Sequence, residues 1–211
     1  MERKKQALTR RHLFETEYIC MTFTWEFRGR RSIRMPDYDY SVPGWYFITI
    51  CVKNRQCVFG DVVDGKMVLS RFGYIAKQSL KDVPKHYKHV RLDSYIVMPN
   101  HVHVIIVIRR VGAGFKPAPT GLHPTHITDG AGLKPAPTGK RQGLSETIRA
   151  FKTFSAQKIN MLRQSSGDPF WQRNFHERII WTDEGLASTR DYIRLNPLRW
   201  HVDPENPNRP E

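Results

Sequence analysis

The chain has 211 residues, 34 Lys and Arg against 20 Asp and Glu, and a formal net charge of +14. That length suits one compact domain of roughly 100–200 residues with appendages, and excludes a (β/α)8 barrel enzyme or a standard multi-domain enzyme. A hydrophobic content of 39% and five Trp argue against wholesale disorder. The basic surplus says nothing about fold but points to an anionic partner, nucleic acid before an acidic membrane surface. The surplus is spread along the chain: nine Lys or Arg against four Glu over 1–34, and eleven against six Asp or Glu over 140–200. A spread of this kind fits a folded basic surface better than a disordered basic arm.

Residues 1–30 carry no clear periodicity and are expected to form a basic extension outside the domain. No apolar core of a signal peptide follows the basic N-terminus. Three cysteines, Cys20, Cys51 and Cys57, have no CxxC spacing and cannot close a full disulfide set, as in a reducing cytosol. The longest apolar run, Val102 to Ile108, is far short of the ~20 residues of a membrane-spanning helix, so a soluble, cytoplasmic protein with no membrane partner is expected.

The globular part is expected from Arg31 to about 200, with 201–211 as a tail. Gly44 to Asn54 (GWYFITICVKN), rich in β-branched and aromatic residues, predicts a strand. Asp64-Gly65, between Cys57–Gly60 and Lys66–Leu69, predicts a hairpin turn. Residues 71–83 predict a helix ended by Pro84, and His89 to Ile108 two extended stretches broken at Pro99-Asn100. Residues 112–139 contain two near-identical decamers, GAGFKPAPTG and GAGLKPAPTG, and predict a Gly/Pro-rich linker interrupting the domain. Leu144 to Arg163 predicts a helix with an apolar stripe of Leu144, Ile148, Phe151, Ile159 and Leu162. Arg149, Lys152 and Arg163 fall off that stripe, as a solvated basic face or a phosphate-contacting one. A last helix starts at a Thr182 or Asp183 cap and runs to about Asn196, where Pro197 stops it.

Two segments carry chemistry. In the extended run Met98-Pro99-Asn100-His101-Val102-His103, positions i and i+2 face the same way, so His101 and His103 present two imidazoles side by side. Two neutral imidazoles on a strand make half of a divalent-metal site with positions left open for substrate. Taken alone the pair is a weak signal, which packed or surface histidines also satisfy. In the last helix Tyr192 and Asn196 stand at i and i+4 on one face, while Leu186 and Ile193 read as core. A tyrosine can be a covalent nucleophile and an amide oxygen can complete a metal site. A packed tyrosine and a helix-terminal Asn account for the same residues.

Taken together, the two segments resemble a known family. MPNHVHVII (98–106) resembles the histidine–hydrophobic–histidine (HUH) motif of the single-tyrosine transposases, and FWQRNFHERIIW (170–181) followed by DYIRLNPLRW (191–200) resembles their C-terminal block. More narrowly, RSIRMPDYDY (31–40) and GWYFITICVKNRQCVFGDVVDGKMVL (44–69) resemble the REP-associated tyrosine transposases. The resemblance covers about 31–108 and 144–208. It implies an α+β, ferredoxin-like fold with a central antiparallel sheet and packed helices, the HUH nuclease fold. It implies Tyr192 as nucleophile, and His101, His103 and Asn196 as ligands of Mg2+ or Mn2+. Asn196 stands where the broader family has a longer Gln. The family's His two positions after His176 is here Arg178, so neither residue is assigned a catalytic role.

The implied activity is a metal-dependent single-stranded DNA endonuclease and strand transferase acting at hairpins of repetitive palindromes. It would proceed through a 5′-phosphotyrosine, in a monomer or homodimer associated with the bacterial nucleoid. Trp171 and Tyr95 are candidates for base stacking, with core packing the plainer reading. Three other readings share these residues: a hairpin-binding protein without catalysis, a replication-initiator or relaxase nuclease, and a hydrolytic HxH metalloenzyme. The order of the motifs, histidines first and tyrosine in a late helix, favours the transposase.

Overall fold

The computed structural model describes residues 38–109 and 143–209; the expected N-terminal extension and the decamer linker lie outside them. The strands are β1 (Gly44–Cys51), β2 (Gly60–Val63), β3 (Lys66–Leu69), β4 (Val90–Val97), β5 (His101–Ile108) and β6 (His176–Ile180). The helices are α1 (Arg71–His86), α2 (Leu144–Arg163) and α3 (Asp183–Leu195), followed by a 3-10 helix, Asn196–Val202.

Four strands form the central sheet in the order β4-β5-β1-β6, every neighbouring pair antiparallel. With α1 between β1 and β4 and α2 between β5 and β6, the succession is β-α-β-β-α-β, which is the ferredoxin-like arrangement the sequence implied. β2 and β3 form a separate hairpin. Its turn has positive φ at both Asp64 (50°) and Gly65 (69°), the backbone that the Asp-Gly pair favours.

β5 is buried along its whole length because both faces of the sheet are covered. One face carries Tyr46, Ile48 and Ile50 of β1 and Val102, Val104 and Ile106 of β5. These pack with Ala76 and Leu80 of α1 and Ile148, Phe151 and Ile159 of α2 in the main core. The other face carries Ile105 and Ile180, which pack under Leu186 and Ile193 of α3. Alternation along β5 therefore sends His101 and His103 to the α3 side.

Several boundaries differ from the sequence reading. β1 ends at Cys51, because Asn54 and Arg55 adopt positive φ (56° and 53°) in a short 3-10 turn. The first hairpin strand starts at Gly60. Pro84 lies inside α1: the helix runs to His86, and the Tyr87 N–H still bonds the Val83 carbonyl at 2.9 Å. Proline removes one bond near the helix end, while buried Leu80 and Val83 hold the turn against the core. Leu162 is exposed although it belongs to the predicted apolar stripe. α2 otherwise keeps the predicted bounds, and α3 is capped by the Thr182 hydroxyl, which accepts from Gly185 N–H.

Candidate metal and tyrosine site

β5 begins directly after Pro99-Asn100, and its register pairs His101 with Cys51 and His103 with Thr49 of β1. Both histidines are buried, and their Nε2 atoms stand 2.9 Å apart. The hydrogen bonds around them constrain which nitrogen carries the proton. Asn100, fully buried, donates from Nδ2 to the carbonyls of Arg55 (3.1 Å) and Glu205 (2.6 Å). Its Oδ1 is therefore the atom 2.8 Å from His101 Nδ1, and can only accept there. That places the proton on Nδ1 and leaves the Nε2 lone pair aimed at His103. On the other ring, Nδ1 is 2.9 Å from the Thr49 hydroxyl, and the imidazole stacks on Phe47 with 5.2 Å between ring centroids.

Burial keeps both rings neutral at ordinary pH. It depresses the His101 pKa to about 3, with Arg55 adding to the effect. Burial also holds His103 well below the usual imidazole value, helped by His101 and opposed by Asp203. Neutral imidazoles are the form that binds metal.

α3 lies over this pair. Tyr192 Oη is 3.4 Å from His103 Nε2, and its ring meets Phe47 edge-on at 5.8 Å. Burial raises the Tyr192 pKa, and the Asp203 and Glu205 carboxylates add to it; an Asn196 hydrogen bond and Arg178 oppose them. Arg178 lies over the Phe47 ring at 5.5 Å and donates to the Thr189 hydroxyl at 2.8 Å.

After Pro197 the 3-10 helix turns the chain back beneath the site, and Asp203, only 4% exposed, arrives beside the histidines. One ligand atom each from His101, His103 and Asp203 lies within 4.8 Å of the others, a cluster that could hold a metal ion. Asp203 Oδ1 accepts from Glu205 N–H at 2.7 Å and Oδ2 from Asn196 Nδ2 at 3.0 Å. The buried Oδ1 of Asn196 has no hydrogen-bond partner.

This donor set fits a divalent cation. Two nitrogen ligands about 2.1 Å from an ion and at right angles stand about 3 Å apart, close to the observed 2.9 Å. A buried carboxylate and an unpaired amide oxygen beside them are oxygen donors of the kind Mg2+ and Mn2+ take.

No family model matches the chain. An uncharacterized protein of Haemophilus influenzae (strain ATCC 51907 / DSM 11121 / KW20 / Rd) is 35% identical over 176 residues, 82% of this chain and 91% of that protein. The chain belongs to the family of this Haemophilus protein. Among solved structures, a REP-associated tyrosine transposase bound to a REP hairpin is similar at 18% identity and a TM-score of 0.49, over 79% of this chain and 74% of that one.

In this member of the Haemophilus protein's family, the four residues singled out from sequence, His101, His103, Tyr192 and Asn196, come together at one place. Asn196 sits against Asp203, to which its Nδ2 donates. Trp171 is a core residue, 6% exposed, with Nε1–H donating to the Ser155 hydroxyl at 3.0 Å; Tyr95 packs against the main core. Lys152, read as part of a basic face, is half-buried and donates to the carbonyls of Gln172, Arg173 and Asn174. Sequence reading missed Asn100, Thr49 and Asp203. The first two adjoin the motif in chain or register, while Asp203 lies in the segment read as a tail. Among the described residues no helix is long and apolar enough to cross a membrane, and Cys51 and Cys57 are free thiols.

Proposed function

We propose that the chain is a single-tyrosine transposase of the REP-associated type, a metal-dependent nuclease and strand transferase on single-stranded DNA beside palindromic-repeat hairpins. One observation carries the reading: the Tyr192 hydroxyl lies 3.4 Å from a buried, neutral imidazole pair with a carboxylate beside it. A half-buried phenol needs only one hydrogen-bond partner for packing, and a surrounding of two imidazoles and a carboxylate offers more than that. A nucleophile attacking a phosphodiester gains a great deal from it.

In this reading His101 and His103 hold Mg2+ or Mn2+, with Asn196 and Asp203 beside them. The bound ion supplies Lewis-acid polarisation of a phosphate oxygen and positive charge against the carboxylates that raise the Tyr192 pKa. Tyr192 Oη forms a bond to phosphorus as the bond from phosphorus to the 3′ oxygen breaks. The phenolic proton leaves and the 3′ oxygen takes one up, giving a 5′-phosphotyrosine and a free 3′-OH. The covalent link conserves the phosphodiester energy, so a 3′-OH from another strand can reverse the step, which is strand transfer. Phe47 and Arg178 orient the phenol through edge contact and charge. The tyrosine serves the histidines of its own chain, a reading supported by their contact within one polypeptide. The net charge of +14 favours an anionic strand, and the setting is the bacterial cytoplasm and its nucleoid.

The test is incubation of the full chain with an end-labelled single-stranded hairpin and Mn2+, read on a denaturing gel. The parent should cut at one position. Tyr192→Phe, and His101→Ala combined with His103→Ala, should bind the hairpin and leave it intact. Cutting by Tyr192→Phe would contradict the nucleophile assignment, and a parent that binds without cutting would favour a hairpin-binding protein.

A further inference from the structure

We propose that Asp203 is the anionic metal ligand of the site and that Asn196 is a positioning residue that aims it. The proposal rests on the metal-dependent reading above and deepens it. Two neutral imidazoles and an amide would leave a dication uncompensated in a buried place, which is costly. Asp203 is the acidic residue that shares a ligand-distance cluster with both histidines, and it is as buried as they are. Among the described residues no Lys or Arg forms an ion pair with it; its bonds are to the neutral donors Glu205 N–H and Asn196 Nδ2. Each carboxylate oxygen thus retains lone-pair capacity. A buried carboxylate held only by neutral donors, clustered with two neutral imidazoles, is a group whose natural partner is a cation.

The surrounding chain is organised around this placement. Pro197 ends α3, the 3-10 helix reverses the chain, and the Asn196 amide meets the carboxylate seven residues on. The segment after Asp203 is held in turn by three contacts. Arg55 pairs with Glu205 at 3.0 Å, Asn100 Nδ2 donates to the Glu205 carbonyl, and the Cys51 thiol donates to the Glu205 carboxylate at 3.4 Å. All three anchors lie in β1, in the turn after it, or at the start of the β5 histidine motif, so the carboxylate is fixed relative to the histidines. Asn196 Nδ2 then acts on Oδ2 as an outer hydrogen-bond donor acts on a ligating carboxylate.

Mn2+ binding by the full-length chain, followed by electron paramagnetic resonance of the free ion, tests this without DNA or catalysis. Asp203→Asn should lose at least about 100-fold in Mn2+ affinity, as for loss of a direct ligand, and Asn196→Ala about tenfold, at the mild end of outer-sphere substitutions. Asp203→Cys supplies a second, spectroscopic readout: titrated with Cd2+, it should show a thiolate-to-metal charge-transfer band in excess of the parent's. Mn2+ binding by Asp203→Asn within about threefold of the parent, or Cd2+ binding by Asp203→Cys without the extra band, overturns the ligand assignment while leaving the wider reading in place. A parent that takes up no Mn2+ overturns both.

Discussion

The Asn100 side chain commits both ends of its amide to the site: Oδ1 accepts from His101 Nδ1–H, and Nδ2 donates to the carbonyls of Arg55 and Glu205. Truncation would leave the buried His101 N–H without a partner, at about 1–3 kcal/mol, and two part-buried carbonyls short of one, at a smaller cost each. Asn100→Ala is therefore expected to lower stability by about 3 kcal/mol in urea unfolding and, by freeing the His101 tautomer, to weaken Mn2+ binding by about 10–100-fold. Unchanged unfolding and Mn2+ affinity would contradict that role. The residue also marks the limit of what the sequence discloses at this scale. His101 and His103 were legible because a two-residue spacing on a strand fixes their common face. Asn100 was not, because its carbonyl partners lie 45 and 105 residues away in the chain. Thr49 meets His103 across 54 residues, through a strand register that no local pattern encodes. Asp203 sits among Pro and Asn residues without periodicity, where only the fold gives it neighbours.

At the scale of elements, α3 must sit correctly over β5 for Tyr192 to reach His103. One clamp that positions it is the ion pair between Arg190 of α3 and Asp93 of β4, with contacts of 2.6 and 2.7 Å. The Asp93 side chain is 7% exposed and that of Arg190 48%, so solvent screens the pair in part and its worth is about 1 kcal/mol. The Arg190 hydrogen bond holds the Asp93 pKa below the ordinary 3.8. A carboxyl depressed in the folded state contributes stability that is fully present above the unfolded value and is lost as pH falls through the folded one. Asp93→Asn should thus cost about 1 kcal/mol at pH 7 and make unfolding free energy less steep in acid from about pH 5 downward. An acid profile parallel to the parent's would exclude the pair as a contributor. Elements were read well where periodicity was strong: α2 took the predicted bounds, and the break between β4 and β5 fell at Pro99-Asn100. They were misread where tertiary packing overruled a local signal. Pro84 rides inside α1, and Lys152 leaves the basic face of α2 to tie down three carbonyls.

Across the whole molecule, the two faces of the sheet divide the labour. α1 and α2 close the main core on one face, and this larger apolar mass carries the fold. The other face has a small apolar patch under α3, and beside it the polar cluster of His101, His103, Tyr192, Asn196 and Asp203. The ferredoxin-like class was legible through the resemblance carried by the histidine and tyrosine motifs, whereas β6 (His176–Ile180), which completes the β-α-β-β-α-β succession, had no predicted counterpart. Net charge pointed to an anionic partner but could not say which face meets it. The central claim is that the Tyr192 oxygen becomes covalently joined to the 5′ phosphate of a cut strand. Its most direct test is mass spectrometry of the full-length chain after reaction with a single-stranded hairpin and Mn2+. A nucleotide adduct mapped to the peptide containing Tyr192, and absent from Tyr192→Phe, is the predicted result; cleaved DNA with no adduct, or an adduct on another residue, would contradict it.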